Sequence, residues 1–139
     1  MSQKIKILLV DDNEDEIFFI KEGFEATGLY EVVAEALNGN EMFSLLRKGS
    51  FPRPQVVISD LNMPGKNGYD VLKEIKENQA LSSIPVVILS TAPSVPFWER
   101  CKELGAYAYF TKPDTFLQYK EFAQQIYPQL LQGCFGSAA

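Results

Sequence analysis

The chain has 139 residues, of which 46% are hydrophobic and 22% charged, a composition typical of one globular domain and not of a disordered protein. Its net charge of −5 argues against direct nucleic-acid binding, because neutralising phosphates requires clustered lysine and arginine. The absence of histidine excludes histidine-based acid–base catalysis, histidine metal ligation and a phosphohistidine carrier role.

The cellular location is inferred from targeting signals and cysteine usage. No apolar run approaches the roughly 18 residues that a membrane span needs. Residues 1–4 lead into a strand-like segment without the apolar stretch of a signal peptide. Cys101 and Cys134 form no CxxC pair, which is typical of reduced thiols. We therefore expect a cytoplasmic protein that does not bind membranes.

Short β-rich segments alternate with amphipathic helical segments along the chain. In order, the pattern predicts strand 5–10, helix 13–27, strand 32–36, helix 41–48, strand 55–60, helix 69–78, strand 84–89, a helix from about 96 to 105, strand 106–110 and helix 115–127. Asn13 is predicted to cap the first helix, with Glu16 as its reciprocal partner. Pro128 should end or kink the last helix. The small residues of 133–139 favour a frayed tail.

Five strand–helix units imply a doubly wound α/β fold, in which a parallel sheet is covered by helices on both faces. The apolar run at 56–58 is typical of a strand buried on both sides. In such sheets, functional residues collect at the carboxyl ends of strands, where the winding direction reverses. Acidic residues lie at two such ends: Asp11 and Asp12 follow the first strand, and Asp60 ends the third.

The strand order 2-1-3-4-5 would bring Asp11, Asp12 and Asp60 together at one edge of the sheet. Two carboxylates about 4 Å apart repel by roughly 4 kcal/mol at an effective dielectric near 20, so three require a cation or raised pKa values. Mg²⁺ commonly binds through one or two carboxylates and phosphate oxygens. Ser90 closes the fourth strand and Lys112 follows the fifth, which adds a hydroxyl and an ammonium. Each residue alone would be unremarkable, but together they indicate a site that can bind Mg²⁺ and phosphoryl oxygens.

The sequence resembles the response-regulator receiver family, which includes the bacterial chemotaxis receiver, from residue 5 to about 126. Four blocks carry the resemblance in order: ILLVDD at 7–12, SDLNMP at 59–64 followed by two glycines, IPVVILS at 84–90, and Gly-Ala-Tyr at 105–107 before Lys112-Pro113. It implies a flavodoxin-like (βα)5 fold with a five-stranded parallel sheet in order 2-1-3-4-5. The receiver domain would span residues 4–130, and residues 131–139 would form a flexible tail.

The resemblance also implies the chemistry of the acidic residues. Asp60 would be the nucleophile and phosphoacceptor, forming an acyl phosphate. Asp12 and Asp60 would bind Mg²⁺ directly, together with the backbone carbonyl of Asn62, while Asp11 would act through water. The chain would then be a phosphoacceptor switch that catalyses only its own phosphorylation and dephosphorylation, and not an enzyme acting on other substrates.

Two further residues would contact the phosphoryl group. Ser90 would hydrogen-bond to it and Lys112 would pair with it, as in the family; Thr91 is the alternative to Ser90. The peptide between Lys112 and Pro113 would be cis. As the switch responds, the Ser90 hydroxyl would move toward the phosphoryl group and Tyr109 would turn inward.

The resemblance implies partners as well. A sensor histidine kinase or phosphotransfer protein would supply the phosphoryl group from its phosphohistidine, and the signal would pass to a protein target by conformational change. The fourth helix, fifth strand and fifth helix would form the readout surface, with a homodimer as one possible use. We expect one or two of its aromatic residues, first of all Trp98, to be exposed; the six are Phe97, Trp98, Tyr107, Tyr109, Phe116 and Tyr119. The spacing at 81–85 and Asp114 after Lys-Pro favour the stand-alone receivers that partner phytochrome-type kinases.

Two alternatives of other classes stay open: a flavodoxin-like electron carrier, and a phosphohydrolase or pseudo-receiver. A flavodoxin-like electron carrier would use the same fold, but Asp11 and Asp12 occupy the loop where a flavin phosphate would need hydroxyls and glycines. A phosphohydrolase would carry a second acid two residues after its aspartate nucleophile, where this chain has Asn62. A pseudo-receiver would lack one of the five site residues, and none is missing.

Overall fold

The computed structural model describes residues 4–91 and 94–134. Five strands form one parallel sheet in the order β2-β1-β3-β4-β5, and five helices alternate with them. In chain order the elements are β1 (Ile5–Val10), α1 (Glu14–Ala26), β2 (Tyr30–Ala36), α2 (Gly39–Lys48), β3 (Val56–Asp60), α3 (Gly68–Glu77), β4 (Val86–Ser90), α4 (Val95–Glu103), β5 (Ala108–Thr111) and α5 (Phe116–Cys134). The predicted fold class and strand order are confirmed.

Apolar side chains cover both faces of the sheet, as the unbroken hydrophobic runs of β3 and β4 require. Helices α1 and α5 pack on one face and α2, α3 and α4 on the other. The first face is represented by Ile17, Phe24, Tyr119, Ala123 and Leu130, and the second by Met42, Phe43, Val71, Leu72, Ile75 and Cys101. The two core layers hold the sheet from both sides, so the carboxyl ends of its strands form a rigid edge.

The strand register determines which residues meet at that edge. Val10 of β1 lies opposite Ser59 of β3, so the residues that follow, Asp11 and Asp60, are neighbours. At the other side, Ser90 of β4 lies opposite Thr111 of β5, directly before Lys112. All strands run parallel, and their carboxyl ends therefore deliver these side chains to one place.

The cap of α1 differs from the prediction in one partner. Asn13 caps the helix as predicted, since its side chain accepts from the backbone N–H groups of Asp15 and Glu16. The predicted reciprocal bond from Glu16 is wrong, because the N–H of Asn13 donates to Asp11 Oδ1 at 3.0 Å instead. The Glu16 carboxylate accepts a hydrogen bond from Tyr119 of α5.

Helix α5 runs through Pro128 to Cys134, so the prediction that it ends near residue 127 is wrong. Tertiary contacts outweigh the lost backbone hydrogen bond at the exposed proline. Beyond it, Leu130 is buried in the core, and the Tyr107 hydroxyl donates to the carbonyl of Gln129 at 2.6 Å. Residues 135–139 of the predicted tail lie outside the described residues, and the domain boundary at 130 stays a prediction. None of the helices in the described part of the chain is long and apolar enough to cross a membrane.

Candidate functional site

Three carboxylates converge at the carboxyl edge of the sheet, as the sequence predicts. Each of Asp11, Asp12 and Asp60 offers an oxygen atom, and these three atoms lie within 4.8 Å of one another. Asp11 is 1% exposed and Asp60 is 7% exposed, whereas Asp12 faces solvent. The site is therefore a concentrated negative charge that opens to solvent on the side of Asp12.

Lys112 supplies the positive charge of the site. Its Nζ lies 2.8 Å from Asp11 Oδ2 and 3.3 Å from Asp60 Oδ1, and its side chain is only 8% exposed. The backbone N–H of Lys112 donates to the carbonyl of Ser90 at 2.9 Å, which ties the loop after β5 to the end of β4. One ammonium therefore bridges the two buried carboxylates.

The pKa values of the site reflect this crowding. Burial raises the pKa of Asp60 from its ordinary 3.8 to about 6; the charge of Lys112 opposes this shift, while those of Asp11 and Asp12 add to it. Burial also raises the pKa of Asp11 despite its hydrogen bond with Lys112. For Lys112, burial opposes the charged form, but the carboxylates of Asp11 and Asp60 outweigh it and raise its pKa. One lysine thus leaves the three acids incompletely neutralised.

Backbone hydrogen bonds hold the chain in place around Asp60. The N–H of Leu61 donates to the carbonyl of Leu89 at 3.1 Å, and the N–H of Gly68 donates to the carbonyl of Leu61 at 2.8 Å. A Cβ at position 68 would lie 2.9 Å from the Asp60 carbonyl, closer than side-chain carbons come, so glycine is required where α3 begins. The loop between β3 and α3 is thereby drawn against the strand end that carries Asp60.

The remaining predicted site residues lie along the same edge. Ser90 is fully buried at the end of β4, whereas the alternative, Thr91, is exposed. Asn62 is exposed in the loop after Asp60. The predicted cis bond between Lys112 and Pro113 is wrong, since no cis peptide occurs in the described residues. In the trans form, which X–Pro bonds ordinarily prefer, Lys112 already reaches both carboxylates.

Tyr109 occupies a partly buried position on β5. Its ring lies 5.9 Å from that of Trp98, and its hydroxyl oxygen is buried without a hydrogen-bond partner among the described residues. An unpaired buried hydroxyl costs about 1–3 kcal/mol. The side chain is therefore held by its ring contacts and not by its polar group.

The six aromatic residues of the expected readout surface differ from the prediction in which of them are exposed. Trp98, expected to be the most exposed, is half-buried because it packs against Tyr109 and the core. Tyr119 is 1% exposed. The exposed members of the group are Phe97, Tyr107 and Phe116. The exposure expected of Trp98 is therefore found at other residues, and their use as a contact surface stays a prediction.

One polar pair beside the site was not predicted. The hydroxyl of Tyr119 donates to Glu16 Oε2 at 2.7 Å and joins α5 to the first turn of α1. The sequence pattern places Tyr119 on the buried face of its helix. For Glu16, however, the same kind of local pattern predicts a capping bond with Asn13 and gives no sign of a contact with α5. Only the packing of α1 against α5 brings the two together.

Comparison with known proteins agrees with the fold. A family model described as "Response regulator receiver domain" matches residues 7–121. The response regulator Rcp1 of Synechocystis sp. is 34% identical over 110 residues, which cover 76% of this chain and 75% of Rcp1. The phosphorylated cyanobacterial phytochrome response regulator RcpA superposes with a TM-score of 0.79 at 31% identity, covering 99% of this chain and 98% of that one.

A structure of Rcp1 in its Mn(2+)-bound form superposes with a TM-score of 0.69 at 27% identity, covering 97% of this chain and 96% of that one. The family match extends over most of the chain and includes every residue of the site described above. The chain therefore belongs to the response regulator receiver domain family of two-component signalling proteins, and is similar to phytochrome response regulators.

Proposed function

We propose that this protein is a response regulator receiver whose Asp60 accepts a phosphoryl group from the phosphohistidine of a sensor histidine kinase or phosphotransfer protein. The observation that carries this proposal is the position of Asp60. Its carboxylate is buried beside Lys112 and two further acids, and its pKa is raised to about 6. The negative charge of a carboxylate in such surroundings is incompletely compensated, and a bound cation together with an added phosphoryl group would relieve this.

The donor set fits Mg²⁺. Three carboxylate oxygens lie within 4.8 Å of one another, and one side of the cluster, at Asp12, is open to solvent. Hard oxygen ligands and space for water are what Mg²⁺ prefers. Asp12 and Asp60 would bind the ion directly, with the carbonyl of Asn62, and Asp11 would act through water. Bound there, the ion would neutralise charge on the phosphoryl oxygens. The Mn(2+)-bound form of Rcp1 supports a divalent cation in a related receiver.

In the transfer step, an oxygen of the Asp60 carboxylate forms a bond to phosphorus while the nitrogen–phosphorus bond of the donor breaks. The bonding electron pair returns to the imidazole of the donor. Lys112 pairs with one phosphoryl oxygen, and the Ser90 hydroxyl donates to another. In hydrolysis, water attacks phosphorus, and the carboxylate and inorganic phosphate are released. The protein thus promotes only its own phosphorylation and dephosphorylation.

The signal would leave through α4, β5 and α5. Tyr109 is suited to a switch, because its buried hydroxyl has no hydrogen-bond partner among the described residues and loses nothing polar when the side chain moves. Phosphorylation would draw Ser90 toward the phosphoryl group and leave room for Tyr109. The exposed aromatic residues Phe97, Tyr107 and Phe116 would then contact a protein target or a second copy of the chain.

Incubation with acetyl phosphate and Mg²⁺, followed by intact mass spectrometry, tests the proposal. We expect one phosphoryl group on the wild type, none on Asp60→Asn, and none when EDTA removes the metal. Asp114→Asn is the matched control, because it changes an exposed aspartate that has no part in the site and should be phosphorylated normally. A wild type that never gains the group, or an adduct that survives in Asp60→Asn, would overturn the proposal.

A further inference from the structure

The Tyr119–Glu16 hydrogen bond lies at the boundary between the core and the acidic site. Tyr119 is 1% exposed, and its ring belongs to the core layer between α1, α5 and the sheet. The helices touch at Gly23, where a Cβ would lie only 2.6 Å from the Cβ of Tyr119. This close packing fixes the ring, so its hydroxyl meets Glu16 Oε2 at 2.7 Å in a defined position.

Glu16 is a fourth acid near the site. It lies in the first turn of α1, whose cap residue Asn13 donates its N–H to Asp11 Oδ1 at 3.0 Å. Its negative charge adds to the raised pKa values of Asp11 and Lys112. Lys112 nevertheless pairs with Asp11 and Asp60 alone in the described part of the chain. Burial raises the pKa of Tyr119, so its hydroxyl stays protonated and remains a donor at neutral pH.

We propose that Tyr119 is a positioning residue: its hydroxyl holds the Glu16 carboxylate toward α5 and thereby keeps the Lys112 ammonium available to Asp60 and to the phosphoryl group that Asp60 accepts. This inference rests on the proposed phosphoacceptor function. A half-buried carboxylate that loses its donor seeks another partner. The cation on which its charge already acts is Lys112.

Loss of the Tyr119 hydroxyl should therefore have opposite effects on two properties of the site. Lys112 drawn toward Glu16 would neutralise the phosphoryl group less well, and phosphorylation would slow. The same movement would release Asp11 from its ion pair, so Mg²⁺ binding would stay equal or become tighter. A variant that merely disturbed the packing of α5 would weaken both properties.

The test compares Tyr119→Phe with the wild type in the full chain. The initial rate of adduct formation from acetyl phosphate is measured by intact mass, and the Mg²⁺ affinity without phosphodonor by calorimetry. We expect the rate to fall about three- to tenfold, the size of one net hydrogen bond, while the Mg²⁺ dissociation constant stays unchanged or falls. Adding Glu16→Gln to Tyr119→Phe should restore the rate to that of Glu16→Gln alone, because no carboxylate remains to compete for Lys112.

Tyr30→Phe is the matched control. The Tyr30 hydroxyl is also buried, and it donates to the carbonyl of Ala123 in α5, the helix that carries Tyr119, at 2.7 Å. Tyr30, however, lies at the start of β2, at the end of the sheet opposite the acidic site. Removal of its hydroxyl should leave the rate and the Mg²⁺ affinity unchanged. A wild-type rate in Tyr119→Phe, weaker Mg²⁺ binding, or a double variant as slow as the single one would overturn the inference alone. A wild type that gains no phosphate would overturn the proposed function and this inference with it.

Discussion

The Nζ atom of Lys112 lies 3.3 Å from Asp60 Oδ1, although Asp60 ends β3 and Lys112 follows β5. The same ammonium lies 2.8 Å from Asp11 and is almost completely shielded from solvent. It balances part of a charge that three acids concentrate in one place. A phosphoryl group on Asp60 would find this cation already within reach, so the site needs little rearrangement to neutralise it.

Replacing Lys112 by methionine should destabilise the metal-free protein. The change leaves two buried carboxylates without their cation, and removing one partner of a buried ion pair costs about 3–5 kcal/mol. We expect a loss of about 2–4 kcal/mol in urea unfolding, because the raised pKa values let protons replace part of the lost charge. Mg²⁺ should recover part of the loss.

Lys21→Met is the control for this prediction. It removes the exposed ion pair with Glu35, whose side chains are 42% and 41% exposed, and should cost less than about 1 kcal/mol. Equal losses in the two variants would show that the Lys112 pairs contribute no more than a surface ion pair.

The raised pKa of Asp60 predicts how the stability of the metal-free protein depends on pH. The native state binds this proton more tightly than the unfolded chain does. Its contribution is therefore fully present below pH 3.8 and is lost as the pH rises to about 6. Asp60→Asn cannot lose that contribution, so in EDTA near pH 7 it should be more stable than the wild type by about 1–3 kcal/mol.

Urea unfolding of both proteins between pH 4 and pH 8 checks this prediction. The advantage of Asp60→Asn should shrink as the pH falls toward 4, and added Mg²⁺ should stabilise the wild type more than the variant. An advantage that is constant with pH, or a variant less stable than the wild type at neutral pH, would contradict the assignment of the raised pKa to Asp60.

The acidic site could be predicted because it depends on strand order alone. Residues at the carboxyl ends of parallel strands in one sheet lie along the same edge, and Asp11, Asp12, Asp60 and Lys112 do so. The Tyr119–Glu16 bond depends instead on how α1 packs against α5, which no local pattern reveals. Sequence reasoning therefore finds the charges of the site but misses the contact that positions one of them.

Tertiary packing also explains why the predicted end of α5 and the predicted exposure of Trp98 are wrong. Pro128 is a strong local signal for a helix end, but the burial of Leu130 continues the apolar face of α5 beyond it. From the sequence, Trp98 is predicted to be the first of the six readout aromatics to be exposed. Its contact with Tyr109 across α4 and β5 is a tertiary feature. In each case, packing outweighed a local preference.

Pro128→Ala should stabilise the protein. Pro128 is exposed inside α5 and leaves the carbonyl of Gln124 without its usual helical donor. Alanine supplies that N–H, so the free energy of unfolding should rise by about 1 kcal/mol or more. Gln125→Ala, at an exposed position of the same helix, is the control and should change stability by less than about 0.5 kcal/mol. A loss of stability in Pro128→Ala would mean that the proline geometry itself supports the packing of Leu130.

The Cys101 thiol should be inert in the folded protein. It is 0% exposed, and burial raises its pKa to about 11, so little thiolate forms near neutral pH. In a Cys134→Ser background, a thiol reagent at pH 8 should label the native chain far more slowly than the urea-unfolded chain. Rapid stoichiometric labelling of the native protein would show that α4 opens readily at this position.

The identity of the phosphorylated residue tests the central claim most directly. After incubation with acetyl phosphate and Mg²⁺, borohydride reduction converts an aspartyl phosphate to homoserine, which peptide mass spectrometry can locate. We predict homoserine at position 60 of the wild type, at no other aspartate, and only when phosphodonor and metal are both present. Modification at Asp11, Asp12 or a surface aspartate, with position 60 unchanged, would contradict it.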